Sequence, residues 1–226
     1  MPKPLTLREV SSRLAAAAPV GASPPRLLAV GKTQPAAALR ALAALGQRHF
    51  GENYVQEALD KMRELADLPL VWHLVGPLQS NKCREVALHF DWLESLDRPK
   101  LVPLLARHRP ADAAPLNVLV QVNIDDESAK SGCRVADTAA LCALVAATPA
   151  LTLRGLMAIP APHPDPVRRR DAFRRMRALF DGLRARFASM DTLSMGMSDD
   201  FELAATEGAT EVRIGSALFG PRPPRP

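Results

Sequence analysis

The residue best placed to do chemistry in this chain is Lys32, which follows a short apolar run and Gly31. An apolar run as short as 27–30, closed by a glycine and soon by Pro35, is typical of a strand buried on both faces. Lys32 is then expected at the carboxyl end of that strand, where a buried sheet opens toward a ligand. Because desolvating an unpaired ammonium is costly, a lysine at this place points to function as well as packing.

On the local sequence alone, three roles are open to Lys32. The Gly31-Lys32-Thr33 segment matches the end of a P-loop, but that motif needs a glycine five residues before the Gly-Lys pair, and Arg26 stands there. Without that glycine no loop of converging amides forms, which disfavours a nucleotide site. A lysine with a lowered pKa can instead form a Schiff base with an aldehyde. The third role is a strand-end lysine that simply extends into water.

Composition favours a globular protein of the cytoplasm. The chain has 226 residues, 47% hydrophobic and 23% charged, which suits one large domain. It contains no run of about 18 apolar residues to span a membrane, and its first residues lack the apolar segment of a signal peptide. The three cysteines, at 83, 133 and 142, lack C-x-x-C spacing. That pattern argues against a zinc site and a disulfide framework and predicts a reducing compartment.

The net charge of +5 is carried largely by arginines between 168 and 177. In the same segment Phe173, Met176 and Phe180 recur at helical spacing, so the arginines are expected on the opposite, solvated face of a helix. Aromatic residues do not interleave with them, which disfavours a nucleic-acid surface. We expect a monomer without nucleic-acid or membrane partners.

The elements that must position Lys32 alternate between strand and helix along the whole chain. Short apolar or β-branched runs predict eight strands, at 27–31, 49–53, 71–76, 92–96, 117–123, 153–159, 192–197 and 211–215. Amphipathic stretches predict helices between them and one more at 5–18. This alternation predicts an α/β fold, a single-domain (β/α)8 TIM barrel over 1–220, with a disordered tail at 221–226. A doubly wound sheet would need a glycine fingerprint that is absent from the first turn.

Active sites of such barrels lie at the carboxyl ends of the strands. The side chains predicted there are Lys32, Asn53, His73, Asn123, Met157, Ser198 and Arg213 through Ser216. Phosphate commonly binds after strands seven and eight, where Ser198 and Ser216 offer hydroxyls and Gly215 lets a backbone amide come close. A lysine and a phosphate cradle at one mouth predict a phosphorylated aldehyde held covalently, with pyridoxal 5′-phosphate (PLP) as the leading candidate.

Six motifs, in order, resemble the PLP homeostasis (PLP-binding) protein family. They are AVGKT at 29–33, FGENYVQE at 50–57, WHLVGPLQSNK at 72–82, GLMAIP at 155–160, SMGMSDD at 194–200 and VRIGSALFG at 212–220. The resemblance covers about residues 5–220, and that family is similar to the barrel domain of bacterial alanine racemases.

The resemblance also implies roles for individual residues. Lys32 matches the Schiff-base lysine, and Arg213 matches the arginine that faces the pyridine nitrogen. Contacts with phosphate are implied for Ser198, Gly215 and Ser216, and places beside the cofactor for Asn53 and Met157. His73 is equally open to a structural role and to participation. No metal ligand and no catalytic residue is expected.

Two classes of function follow from this resemblance. The family implies a carrier that holds PLP, takes part in intracellular vitamin B6 homeostasis, delivers the cofactor to apo-enzymes and catalyses little or nothing, with trace racemase-type activity still open. The alternative is a small PLP-dependent amino-acid racemase. Racemisation moves protons on both faces of the cofactor, and alanine racemases take the second base from a tyrosine in another domain. The one tyrosine here, Tyr54, is predicted at the start of a helix. Arg213 also leaves the pyridine nitrogen neutral and the electron sink weak. These features favour the carrier.

Overall fold

The computed structural model of the chain describes residues 4–127, 130–161 and 163–220. Within these ranges eight parallel strands close into a barrel in sequence order, and the last strand pairs with the first. The strands are β1 Arg26–Val30, β2 His49–Glu52, β3 Val71–Leu74, β4 Trp92–Leu96, β5 Leu116–Val122, β6 Leu151–Ala158, β7 Thr192–Ser194 and β8 Glu211–Ile214. The predicted TIM barrel is confirmed.

Helices follow the strands around the outside of the barrel. They are α1 Leu7–Ala17, α2 Ala36–Ala44, α3 Val55–Glu64, α4 Cys83–His89, α5 Leu101–His108, α6 Val135–Ala146, α7 Pro166–Arg184, α8 Phe201–Thr206 and α9 Ser216–Phe219. The predicted N-terminal helix is α1, which begins in a capping box of Thr6 and Glu9. None of the helices in the described ranges has the length and apolarity needed to cross a membrane. The tail that we predicted to be disordered lies outside the described residues.

Two strands, β3 and β7, end two and three residues earlier than the sequence predicts, and in both cases a glycine explains the difference. β7 stops at Ser194 because Gly196 takes φ +91°, where a Cβ would lie 2.4 Å from Ala204 Cβ. β3 stops at Leu74, and the chain then crosses the end of β2 so closely that a Cβ on Gly76 would lie 2.1 Å from Asn53 O. These close crossings bring the segments after the strands together at one end of the barrel.

The main apolar core lies between the outer faces of the strands and the helices. Helix α7 shows how the sequence pattern produces it. Its buried residues are Ala172, Phe173, Met176, Phe180 and Leu183. The arginines of α7 lie on the other face, where Arg170 and Arg174 pair with Glu207. The predicted solvated arginine face is confirmed.

The interior of the barrel is unusually polar. Glu94 on β4 accepts a hydrogen bond from Ser194 on β7, and since these strands are not neighbours, the bond crosses the interior. Branched apolar side chains usually fill this space in TIM barrels. Here buried polar side chains take part of it: His73, Glu94, Ser194, Glu211 and Arg213. Buried polar groups are unfavourable unless they are hydrogen-bonded, so each of these side chains needs partners within the interior.

Candidate functional site

A cavity of about 200 Å³ opens at the carboxyl end of the strands. Its walls come from the segments that end or follow six of the eight strands. The lining residues are Val30, Lys32, Asn53, Val75, Ile159, Met197, Ser198, Asp199, Arg213, Gly215 and Ser216. Seven residues were predicted from the sequence to contact the cofactor, and six of them line this one cavity.

The seventh predicted residue, Met157, lies deeper in the barrel. It is fully buried and clusters with Trp92 and Leu119. Ile159, two residues further along the chain, lines the cavity instead. The structure thus places Met157 in the layer beneath the residues that line the cavity.

Lys32 reaches the cavity from the turn that follows β1. Strand pairing continues one residue beyond the strand, since Gly31 N donates to Gly51 O at 2.9 Å. The turn then closes with a hydrogen bond from Gln34 N to Gly31 O at 2.9 Å. The half-buried Lys32 is thereby fixed at the strand end, as the sequence predicts.

Ser198, Gly215 and Ser216 form the side of the cavity that suits an anion. Ser216 begins α9, and the first N–H groups of a helix have no carbonyl partner within that helix. Ser198 Oγ accepts from Ala217 N at 3.3 Å, which joins the turn after β7 to α9. A Cβ at Gly215 would lie 3.2 Å from Val30 O, so a larger residue would press on the strand that leads to Lys32.

Asn53 contributes an acceptor to the same space. Its Oδ1 is buried and has no hydrogen-bond partner among the described residues, although the residue lines the cavity. A buried acceptor without a donor is unfavourable. This atom therefore suits a ligand that brings its own donor.

Arg213 is 4% exposed and contributes a positive charge to the wall of the cavity. One terminal nitrogen donates to Ser194 Oγ at 2.8 Å and the other to Ala158 O at 2.7 Å. Burial lowers the pKa of Arg213, while Glu94, Glu211 and Asp200 act in the opposite direction. A guanidinium in this setting remains charged at neutral pH and offers N–H donors only.

A chain of hydrogen bonds runs from Arg213 through the barrel interior. Ser194, which accepts from Arg213, donates to Glu94 Oε2 at 2.8 Å. Glu94 Oε1 lies 2.7 Å from His73 Nδ1, and His73 Nε2 lies 3.0 Å from His49 Nδ1. The same heavy-atom positions accommodate a proton on either Glu94 or His73. The network holds the guanidinium of Arg213 from the barrel interior, and its other members do not line the cavity.

The charges around Glu94 disfavour a metal ion. His73, Glu94 and Glu211 offer ligand atoms that all lie within 4.8 Å of one another. Burial raises the pKa of Glu94 and the pKa of Glu211. Arg26 pairs with Glu211 at 2.6 Å, and Arg213 is the other nearby cation. Because two arginines already balance two carboxyl groups, a divalent ion would add uncompensated positive charge to the interior.

These contacts favour the structural one of the two roles left open for His73. Its ring is fully buried, stacks on Trp92 with centroids 5.1 Å apart, and does not line the cavity. Asn123, also predicted at a strand end, bonds to the backbone of Glu127 and does not line the cavity either. Both residues have structural contacts.

Sequence reasoning missed several residues of the site. Asp199, Met197 and Ile159 line the cavity, and Glu94 and Ser194 support Arg213 from the interior. One signal in the sequence was available, since Glu94 is a charged residue in the middle of the predicted strand at 92–96. Ser194 and Asp199 lie in the SMGMSDD motif, but the resemblance implies no role for either of them.

The buried histidine leads to a prediction about acid stability. Burial lowers the pKa of His73 from 6.5 to about 4. A group with a lowered folded pKa stabilises the protein above its unfolded pKa and loses that contribution as the pH falls toward the folded value. We expect the free-energy advantage of the wild type over His73→Gln to be constant above about pH 6.5. It should shrink by up to about 3 kcal/mol between pH 6.5 and 4.

Denaturant unfolding of both proteins across this pH range measures that difference, in which the contributions of carboxyl groups away from His73 largely cancel. His89→Gln, an exposed position on α4, corrects for the loss of one imidazole. A difference that stays constant down to pH 4.5 would contradict a neutral buried ring.

The fold and the site together define a class of protein. They describe a parallel (β/α)8 barrel with a lysine, a turn of serine and glycine, and a buried arginine around one cavity at its C-terminal mouth. The sequence profile of the family "Alanine racemase, N-terminal domain" matches residues 7–223. The chain is 51% identical over 222 residues to the pyridoxal phosphate homeostasis protein of Escherichia coli (strain K12), covering 96% of this chain and 95% of that protein. The chain belongs to the pyridoxal phosphate homeostasis protein family.

Solved structures agree with this assignment. PipY of Synechococcus elongatus PCC7942, solved with PLP bound, superimposes with a TM-score of 0.81 at 38% identity, covering 93% of this chain and 100% of that one. Alanine racemase from Corynebacterium glutamicum gives a TM-score of 0.67 at 19% identity. The match covers 92% of this chain but only 58% of the racemase chain. At this identity the racemase is related in fold alone.

Proposed function

We propose that this protein binds PLP as a Schiff base on Lys32 and takes part in vitamin B6 homeostasis by holding the cofactor and delivering it to apo-enzymes. The observation that carries the proposal is the cavity itself, which brings together a lysine, an anion-binding turn, an orphaned acceptor and an arginine. The curated relatives are named for pyridoxal phosphate homeostasis and PipY was solved with PLP bound, and both facts support the same function.

Each part of the cavity fits a part of PLP. Ser198, Gly215 and Ser216 would hold the phosphate, Lys32 would take the aldehyde carbon, and Asn53 Oδ1 would accept from a donor on the ligand. Arg213 would face the pyridine nitrogen, and since its nitrogens only donate, that ring nitrogen stays unprotonated. When bound, PLP supplies a reactive aldehyde and an electron sink. The residues around it orient that group and keep the sink weak.

We favour a carrier over an enzyme because of which ionisable side chains reach the cavity. Among the described residues that line it, the ionisable ones are Lys32, Asp199 and Arg213. Tyr54 is 53% exposed as the residue before α3 and is not part of the lining. Lys32 can serve one face of a bound cofactor, and a tyrosine base for the other face does not come from Tyr54.

We further propose that the carrier acts as a monomer in the cytoplasm, with apo PLP enzymes as its recipients. Residues of a single chain surround the cavity, so a second copy is not needed to complete it. The thiols of Cys83, Cys133 and Cys142 are all free. Free thiols suit a reducing compartment.

A cofactor titration tests the proposal. We expect PLP to turn the wild type yellow and the purified complex to pass its cofactor to an added apo PLP enzyme. Ser198→Ala should bind PLP about tenfold to a hundredfold more weakly, because a hydrogen bond to a charged phosphate is lost. Ser11→Ala, on the exposed face of α1, is the matched control and should bind like the wild type.

Two results would count against the proposal. A wild-type protein without a yellow species at saturating PLP would remove it altogether. Unchanged affinity in both Ser198→Ala and a bulky variant such as Gly215→Val would leave PLP binding in place but put the phosphate elsewhere.

A further inference from the structure

A second lysine, Lys61, lies behind the turn that carries Lys32. It projects from α3 and is 5% exposed, in the layer between that helix and the strands. Its Nζ donates to Gly31 O, to Glu52 Oε1 and to Glu57 Oε1, each at 2.7 Å. All three protons of the ammonium are thereby used. A lysine is rarely buried in this way without a specific task.

The partners of Lys61 lie on both sides of Lys32 in the chain. Gly31 O, which accepts from Lys61, belongs to the residue before Lys32. Thr33 N, in the residue after Lys32, donates to Glu57 Oε1 at 2.6 Å. Because Glu57 Oε1 also accepts from Lys61, one ammonium–carboxylate cluster holds the backbone before and after Lys32.

The turn needs such support, because its conformation is unfavourable. Thr33 has φ +64°, in the left-handed region that β-branched residues rarely adopt. Conformations of this kind persist only where the surroundings impose them, and they are common at functional sites. The bond from Thr33 N to Glu57 supplies that constraint.

Gly31 is matched to the same cluster. A Cβ at this position would lie 2.8 Å from Glu52 Oε1 and 2.9 Å from Leu39 Cδ1. The carboxylate that holds Lys61 therefore occupies the space that any other residue at 31 would need. The glycine, the strained threonine and the buried ion cluster form one arrangement around Lys32.

The charged residues of the cluster lie on β2, on α3 and in the turn after β1. Glu52 comes from β2, Glu57 and Lys61 from α3, and Lys32 from the turn. Glu52 is fully buried, and burial raises its pKa to about 7 against the attraction of Lys61. Two carboxyl groups thus share the ammonium of Lys61, and loss of Lys61 would remove the cation that is hydrogen-bonded to both.

We propose that Lys61, together with Glu52 and Glu57, is a positioning residue that holds residues 31–33 so that Lys32 is presented to the cavity. The inference rests on the proposed function, because it assigns Lys61 a part in capturing the cofactor. A role in stability alone would lower the melting temperature without a specific effect on the turn or on Lys32.

The test compares three variants with the wild type. Lys61→Met keeps the length of the side chain and removes its charge and donors. Glu57→Ala removes the acceptor for Thr33 N at a position that is partly exposed, so it is expected to fold even if Lys61→Met does not. Arg109→Met is the control, since Arg109 also bonds three backbone carbonyls, those of Ala87, Phe90 and Ala114, away from the cavity.

Two measurements are made on each protein. Hydrogen exchange of the Thr33 amide in the cofactor-free protein reports on the turn, and PLP titration with borohydride labelling reports on Lys32. We expect Lys61→Met and Glu57→Ala to exchange the Thr33 amide at least about tenfold faster and to bind PLP about tenfold more weakly. Arg109→Met should lower the melting temperature and leave both measurements as in the wild type.

The two measurements also separate the inference from the proposed function. If both cluster variants keep wild-type Thr33 exchange and wild-type PLP affinity, the cluster is structural only and the inference is wrong. Faster exchange with unchanged PLP affinity would equally overturn it, because the turn would then not govern capture. If the wild type binds no PLP, the proposed function fails, and exchange in the cofactor-free protein still shows whether the cluster holds the turn.

Discussion

Replacement of Lys32 by alanine is expected to abolish covalent retention of PLP while the barrel remains folded. Lys32 is the lysine that lines the cavity beside Ser198 and Gly215, and it follows β1 without contributing to the strand ladder. Borohydride reduces a Schiff base to a stable secondary amine. After reduction of the PLP-loaded wild type, peptide mass mapping should find the pyridoxyl group on the peptide that contains Lys32. The Lys32→Ala protein should carry none.

The controls for this experiment are other lysines of the chain. Lys82 lies in the turn before α4, and Lys130 is 3.2 Å from Glu127 in an ion pair. Lys82→Ala should be labelled at Lys32 as the wild type is. Phosphate contacts are expected to retain some PLP in Lys32→Ala, but that fraction should wash out after borohydride treatment. A pyridoxyl group on Lys82 or Lys130 at equal stoichiometry would show that the lysine has been assigned wrongly.

The position of Lys32 could be predicted because it depends on local features. A short apolar run ended by Gly31 places the next residue at a strand end, and in a parallel barrel all such ends meet at one mouth. The same reasoning brought Asn53, Ser198 and Arg213 to the cavity. The order of strands and helices was also accessible, since each element has its own periodicity.

Depth along the barrel could not be predicted in the same way. Met157 lies near the end of β6 and Ile159 directly follows that strand, two residues further along the chain, where side chains share a face; of the two, Ile159 lines the cavity. Which of them reaches the mouth depends on the register between neighbouring strands. That register shifts by one residue where Val118 pairs with Leu153 and Leu119 with Gly155. A shift of this kind leaves no clear mark in the sequence.

Contacts across the barrel were equally hidden. Ser194 and Glu94 are 100 residues apart and bond across the interior, and Lys61 reaches Gly31 from α3, which lies beyond both α2 and β2 in the chain. In the second case the sequence shows the pair Glu57 and Lys61 at the spacing of one helical turn, which is common on exposed helix faces. Burial gives this ordinary pair a different role, and burial follows from the packing of α3 against β2.

The PLP-loaded protein is expected to turn over amino acids poorly or not at all. Two features support this expectation. Arg213 is held by Ser194 and Ala158 with its donors fixed, so the pyridine nitrogen it would face stays neutral and withdraws electrons weakly. Racemisation must also remove the α-proton on one face and return it on the other. Of the described lining residues, Lys32 can serve one face, and Asp199 is the remaining group that could accept a proton.

The absence of one acid or base has a known effect on the rate of catalysis. One positioned acid or base typically contributes about 10²–10⁴-fold in rate, so a weak sink combined with an imperfect second base leaves only trace activity. The test incubates the loaded protein with L-alanine and assays for D-alanine and for keto acid. Lys32→Ala measures the background from free PLP, and Asp199→Asn shows whether any activity above that background uses the carboxylate at the mouth. Turnover of about 1 s⁻¹ or faster, within the range of ordinary enzymes, would make the protein a racemase. Activity near background, with cofactor transfer to an added apo-enzyme, is the expected outcome because Lys32 would serve one face of bound PLP and the other face would lack a strong base.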